Sequence, residues 1–213
     1  MKADYHVHDR QYREARAQGW NGWGGNDRIA YGHTWLEHLF AYEGVPQAGE
    51  ALELGCGEGH LTRLLAARGY SVLGVDVSAV AVEWAKEKTP DTERNVSYQV
   101  IDLTQPDVLL DRAFDLIVDG NCLHCIINED RQTFLANVHR LLKADGLFFV
   151  YSKCSHATED EVVEFEGKPY RYVPTEANLH RELKAAGFAL KKSVFHDGRE
   201  GSQNGHCTIH LTK

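Results

Sequence analysis

"ALELGCGEGHLTRLL" (residues 51–65) sets an apolar run, a glycine cluster and a helical pattern side by side. Ala51, Leu52 and Leu54 give the signal of a short buried strand, and Leu61, Leu64 and Leu65 repeat at helical spacing. Between them Gly55, Gly57 and Gly59 form a turn that can come close to a ligand which a Cβ would repel. A strand–glycine turn–helix unit belongs to open α/β sheets, which bind ligands beyond the carboxyl ends of their strands. A dinucleotide fingerprint needs a small residue at its third position. Here the register runs Gly55, Gly57, His60, so that reading is weak, and the pattern present is E-x-G-x-G-x-G from Glu53 to Gly59.

Downstream, strands and helices alternate. "YSVLGVD" (70–76) reads as a second strand, with Ser78 able to N-cap a helix to about residue 88. Residues 96–102, 114–120 and 147–153 read as three more strands, and 129–142 as a helix. Residues 154–173 read as a long acidic connection, and 175–186 as a helix. "FALKKSVFHD" (188–197) and "HCTIHLTK" (206–213) read as a closing hairpin. Near 72–75 and 116–118 the strands are continuous apolar runs, as a sheet covered on both faces requires. The expected fold is doubly wound α/β: seven strands, mostly parallel, with a C-terminal antiparallel hairpin. Upstream, residues 9–18 and 29–43 suit helices flanking a loop, "GWNGWGGN" (19–26). The expected organisation is a helical cap or lid over residues 1–45 and one ligand-binding domain over 46–213.

The formal charge of −8 over 213 residues disfavours a nucleic-acid partner, which calls for a basic surface. No apolar run approaches the roughly 18–20 residues that cross a bilayer. Residues 1–18 hold no apolar stretch of the kind found in secretory signals. The five scattered cysteines suit reduced thiols in a cytoplasm better than a disulfide framework. The expectation is a cytoplasmic protein, monomer or homodimer, without membrane or nucleic-acid partners.

"LELGCGEGHLT" (52–62), "GVDVS" (74–78), "VIDLT" (100–104), "FDLIVDGNCLHCI" (114–126) and "LLKADGLFFV" (141–150) occur in order. Together they resemble the motifs of the class I S-adenosylmethionine (SAM) dependent methyltransferases, over about residues 48–152. The resemblance implies SAM as cofactor and S-adenosylhomocysteine (SAH) as product. It implies that Glu53, Gly55, Cys56, Gly57 and Gly59 run beneath the methionine arm and adenosine. Asp76, 21 residues beyond Gly55, is then placed for the ribose hydroxyls, with Val77 beside it. Asp102 is placed for the adenine amino group, Leu103 for the ring face, and Asp119 joins the cofactor contacts at the end of strand four.

Methyl transfer from a sulfonium is an in-line displacement with a neutral leaving group, so holding the nucleophile in line is the main demand. A base is needed only where the nucleophile carries a proton. His124 is the candidate base, or else an orienting histidine; Asn121 can place the acceptor or the SAM amino group. Cys122, His124, Cys125, Cys154, His156, His196, His206 and Cys207 fall near strand ends on one edge of the sheet. Such ligands suit a transition metal or a thiol or metal substrate, but no paired-ligand spacing makes that specific, and separate cysteines and histidines are the favoured reading. Tyr5, Tyr12, Trp20 and Trp23 can close over the site, where aromatic faces attract a sulfonium, or simply pack the cap. In the 157–174 connection Tyr170, Arg171 and Tyr172 are the residues best suited to touch an acceptor; its acids read as a solvated face. The expected activity is methyl transfer to an O, N or S atom of a small molecule. Two alternatives stay open: SAM turnover without methyl transfer, by cyclising or cleaving its aminobutyrate arm, and a non-catalytic SAM- or metal-binding module.

Overall fold

The computed structural model describes residues 3–213 apart from 109, 199 and 201. Two helices come first, α1 (Val7–Ala17) and α2 (Gly25–Phe40). Then β1 (Gly49–Leu54), α3 (His60–Ala66), β2 (Tyr70–Asp76), α4 (Ala79–Lys88), β3 (Val96–Val100) and β4 (Phe114–Asp119) alternate. A helical turn at Leu123–Cys125 leads to α5 (Asp130–Leu141) and β5 (Leu142–Ser155). After β6 (Glu161–Phe165) and β7 (Lys168–Val173) come α6 (Glu176–Ala185), β8 (Ala189–Asp197) and β9 (Asn204–Thr212).

Seven strands form one sheet in the order β3-β2-β1-β4-β5-β9-β8. The pairs from β3 to β5 are parallel, and β9 runs antiparallel to both β5 and β8. This is the doubly wound sheet with a terminal hairpin that the sequence predicts. Alternate side chains of each strand divide its two faces. Leu52, Leu54, Val75 and Ile117 meet α5 and α6, while Ala51, Val72, Leu116 and Val118 meet α2 and α3. Ser78 caps α4 as expected, its Oγ accepting from the Ala81 amide at 3.1 Å. Thr175 caps α6 in the same way through the Asn178 amide. The chain order reverses between β1 and β4, so the crevice beyond their carboxyl ends is the topological switch point.

The first 45 residues hold two elements with different places. Trp35, Leu36 and Leu39 of α2 belong to the same buried cluster as the sheet, so α2 is a layer of the sandwich. Helix α1 packs instead on α4, Tyr12 and Ala15 against Ala81 and Trp84.

Two features depart from the sequence reading. The expected acidic connection holds a second, two-stranded sheet, β6 with β7. Its turn is Glu166–Gly167, both at positive φ (52° and 72°), a two-residue hairpin turn that suits the twist of the strands. Every residue of β6 is exposed, so no apolar alternation announces it. Second, Cys154 and Cys207 form a disulfide rather than free thiols. The antiparallel register sets Cys154 opposite Gly205 and Cys207 opposite Ser152, and the Cα atoms are 6.1 Å apart, within bridging range. Along the His/Cys-rich sheet edge, among the described residues no group of three His, Cys, Asp or Glu side chains could hold a metal ion. His156 stacks on Phe195, His206 on Tyr151, and His196 meets the Thr208 hydroxyl. Among the described residues no helix is long and apolar enough to cross a membrane.

Candidate active site

The glycine turn is built as its spacing predicts. Gly55, Gly57 and Gly59 sit at φ of 67°, 55° and 76°, where L side chains are strained. A Cβ on Gly55 would lie 2.7 Å from the Cβ of Cys122, and one on Gly57 2.6 Å from the Tyr12 hydroxyl. Backbone bonds tie the turn to its neighbours: the Cys56 amide donates to the Val75 carbonyl and the Gly120 amide to that of Leu54, both at 2.9 Å.

The acids at the strand ends are buried beside it. Asp76 accepts from the Gly57 and Ser78 amides, both at 2.9 Å. Desolvation pushes its pKa up to about 6, against the pull of those two bonds. Glu53 accepts from the Thr62 hydroxyl, and burial raises it to about 8. Asp119 is fully buried; its Oδ1 caps the next turn through the Cys122 and Leu123 amides, and burial raises it to about 7. Partial burial also pushes Asp102 upward, but hydrogen bonds from Thr104 and Gln105 outweigh it and hold the group below its usual value.

Two cavities flank the turn. The first, with an empty volume of about 680 Å³ including its mouth, is lined by Glu53, Gly55, Cys56 and Gly57, by Asn121, and by the rings of Tyr12, Trp23, Trp35 and Tyr151. The second, about 660 Å³, is lined by Asp76, Val77, Asp102 and Leu103 and is bordered by Tyr5, His8 and Tyr12 of the N-terminal segment. Gly55, Gly120, Asn121, Tyr12 and Trp23 line both, so the two are neighbouring halves of one cleft.

Most of the expected site residues therefore meet there. Others do not. Gly59 packs on the Tyr98 ring and begins α3. Asp119 lies beneath the loop it caps. His124 is 2 % exposed and lines neither cavity, although Cys122 and Cys125 on either side line the second. Trp20 is 44 % exposed and away from the cleft, whereas Trp23 lines it. Tyr170 donates to Gln11 of α1, and Tyr172 donates to Asp160; neither lines the cleft. Arg171 is buried between the Tyr170 and Trp23 rings, 3.7 and 5.4 Å from their centroids.

Asn121 combines two marks of a functional position. It is a non-glycine residue at φ 67°, and its buried Oδ1 has no hydrogen-bond partner among the described residues. Asp119 Oδ2 is a second buried acceptor in that state, but it lies beneath the turn and lines neither cavity. An orphaned acceptor beside a glycine cradle suits a ligand that brings donors. The α-ammonium of SAM is such a donor, so Asn121 and the glycine turn fit that cofactor.

His60, Trp35 and Tyr151 escaped the sequence reading as site residues. His60 lines the first cavity at the start of α3. Its Nε2 lies 3.2 Å from the Ile29 carbonyl, and its ring edge packs on Gly32, where a Cβ would be 2.9 Å away. Desolvation lowers its pKa, aided by Arg63, so the imidazole is uncharged at neutral pH. Its one signal in the sequence is negative, since it spoils the third glycine position. Trp35 and Tyr151 read as ordinary core at helix and strand spacing.

Comparison with known proteins agrees with this geometry. The methyltransferase domain family matches residues 52–150. An uncharacterized methyltransferase of Schizosaccharomyces pombe is 30% identical over 99 residues, which span 46% of this chain and 68% of that protein. A second from the same organism is 32% identical over 182 residues, 79% of this chain and 65% of that one. Among solved structures, the 1,6-didemethyltoxoflavin-N1-methyltransferase of Burkholderia thailandensis, with 1,6-didemethyltoxoflavin and SAH bound, superposes with a TM-score of 0.71. It is 20% identical, and the match covers 100% of this chain and 92% of that one.

Proposed function

The chain belongs to the class I SAM-dependent methyltransferases, and within that family we propose that it methylates a small, ring-bearing molecule held in the first cavity. The observation that carries this reading is the lining of that cavity. Four aromatic rings, three of them from the N-terminal segment and α2, line the same space as Gly55, Gly57 and Asn121. A space so walled suits a flat molecule rather than a polymer chain.

When bound, SAM supplies a methyl group activated by its sulfonium. Gly55 and Gly57 give the methionine arm close approach, and the Asn121 acceptor suits its ammonium. Asp76 accepts from the ribose, while Leu103 and Asp102 lie where the adenine ring and its amino group fit. The rings of Tyr12 and Trp23 cover both halves of the cleft and exclude water. Holding two reactants in line in such a space supplies about 7–11 kcal/mol of the barrier. Where the nucleophile carries a proton, His60 is placed to accept it, being uncharged and part of the cavity wall. His124, buried within the 122–125 turn and lining neither cavity, suits an orienting role within that turn rather than that of a base.

The test is an acceptor screen. Purified protein and SAM are incubated with small aromatic amines, phenols and thiols, and separately with peptides and RNA, and SAH release is followed by mass spectrometry. SAH formed with a small aromatic acceptor supports the proposal. Turnover confined to peptide or RNA, or methylthioadenosine in place of SAH, counts against it.

A further inference from the structure

The ring of Tyr172, which lines neither cavity, has its centroid 4.5 Å from the guanidinium carbon of Arg131. Arg131 stands in the first turn of α5 and is buried. Its Nε and Nη2 donate to the two carboxylate oxygens of Glu182 on α6, both at 2.6 Å. A two-point pairing of this kind fixes the plane of the guanidinium. The remaining nitrogen, Nη1, donates to the carbonyls of Leu123 and Ile126, at 2.7 and 3.0 Å. Tyr172 is fixed in turn: its hydroxyl donates to Asp160, which also accepts from the Thr175 amide and the Asn178 side chain at the start of α6.

The helical turn at Leu123–Cys125 is thereby held at both ends. The Cys122 and Leu123 amides donate to Asp119 Oδ1 at 2.7 and 2.9 Å, and the Leu123 and Ile126 carbonyls accept from Arg131. First amides and last carbonyls are the groups that a short helix leaves without partners of its own. Asn121 enters this turn at φ 67°, a conformation that non-glycine residues keep only where their surroundings over-determine it. Arg131 lines neither cavity, so its reach to the cleft is through the loop it grips.

We propose that Arg131, braced by Glu182, is a positioning residue for the cofactor: it clamps the 120–126 loop so that Asn121 Oδ1 meets the ammonium of the methionine arm. This rests on the reading of Asn121 as a cofactor contact.

The test is a double-mutant cycle on the full-length chain, read by calorimetric titration with SAH, with Tm recorded for each protein. Arg131→Lys keeps the charge but cannot serve two carbonyls and two carboxylate oxygens together. Asn121→Gly tolerates positive φ and removes the acceptor. Each single variant is expected to weaken SAH binding about tenfold, and Arg131→Lys is expected to cost less than about twofold once Asn121→Gly is in place. If Arg131→Lys does not fold, Glu182→Gln, which keeps the shape of the brace and weakens the pairing, takes its place in the cycle. A several-fold loss of SAH affinity is then expected, again absent beside Asn121→Gly. Additive losses, about a hundredfold in the double variant, overturn the proposal. So does a lower Tm with SAH affinity unchanged, the result of an ion pair that only holds the fold together. Asn121→Gly protein that binds SAH as tightly as the parent removes the reading of Asn121 itself, and the proposal with it.

Discussion

The floor and the roof of the cleft are built from different materials. The floor is backbone: the glycine turn, the strand ends and the 120–123 turn are fixed by parallel register and by amide bonds such as Gly57 to Asp76 and Cys122 to Asp119. The roof is side chain. Helix α1 is tied down by Asp9 to Ser78, by Tyr5 to Asp130 and Tyr170 to Gln11, and by the ion pairs Arg10–Glu166 and Lys168–Asp4. Those ion pairs are well exposed, and exposed pairs add little to stability. The contrast divides the labour. A floor set by main chain suits a cofactor that never changes, and a roof set by replaceable side chains can open, close and be retuned for an acceptor.

The sharpest break of that contrast is at Gly57. Gly57→Val forces a branched residue to positive φ and drives its Cβ into the Tyr12 hydroxyl, so SAH binding is expected to be lost in calorimetry while the protein stays folded by circular dichroism. Next is Asp76→Ala, which removes a buried acceptor with two amide partners; hydrogen bonds to charged groups are worth about 1.5–3 kcal/mol, so SAH affinity is expected to fall about ten- to a hundredfold. Removal of residues 1–28 strips the roof. Its expected effect on SAH affinity is several-fold, smaller than that of either floor substitution, because α1 contributes contacts and no backbone ligands.

The acids of the floor make a pH prediction. Glu53, Asp76 and Asp119 have folded-state values raised by burial to about 8, 6 and 7. The unliganded fold therefore holds protons that the unfolded chain releases. Its stability from these groups is complete below the ordinary carboxylate range and is lost as pH rises through about 6 to 8. SAH brings an ammonium and hydroxyl donors that favour the ionised forms, so the rise in Tm on adding SAH is expected to be larger at about pH 8 than at about pH 6. The smallest effect is expected at Trp20, which is exposed and apart from the cleft: Trp20→Ala should leave SAH affinity within about twofold of the parent.

The same division explains what could be read in the sequence. Gly55 and Gly57 are legible because the tight turn dictates glycine at fixed spacing, Asp76 and Leu103 through the resemblance of their motifs, and the switch point collects them in one place. Trp23 and Tyr12 were legible as aromatic lid candidates, but nothing local separates Trp23, which lines the cleft, from Trp20, which does not. His60, Trp35 and Tyr151 were hidden because their role comes from α2 and β5 packing around the first cavity, a tertiary fact. The β6–β7 hairpin was hidden by acidic, fully exposed strands that bury nothing. The Cys154–Cys207 bridge depends on the β5–β9 register, which joins residues 53 apart in sequence.

The most direct test of the account is one calorimetric series with SAH: the parent protein, Asp76→Ala and the chain lacking residues 1–28. Micromolar binding by the parent, a weakening of about ten- to a hundredfold in Asp76→Ala and a several-fold weakening in the truncated chain is the predicted order. A truncated chain that loses SAH while Asp76→Ala keeps it would place the binding energy in the roof and contradict the account.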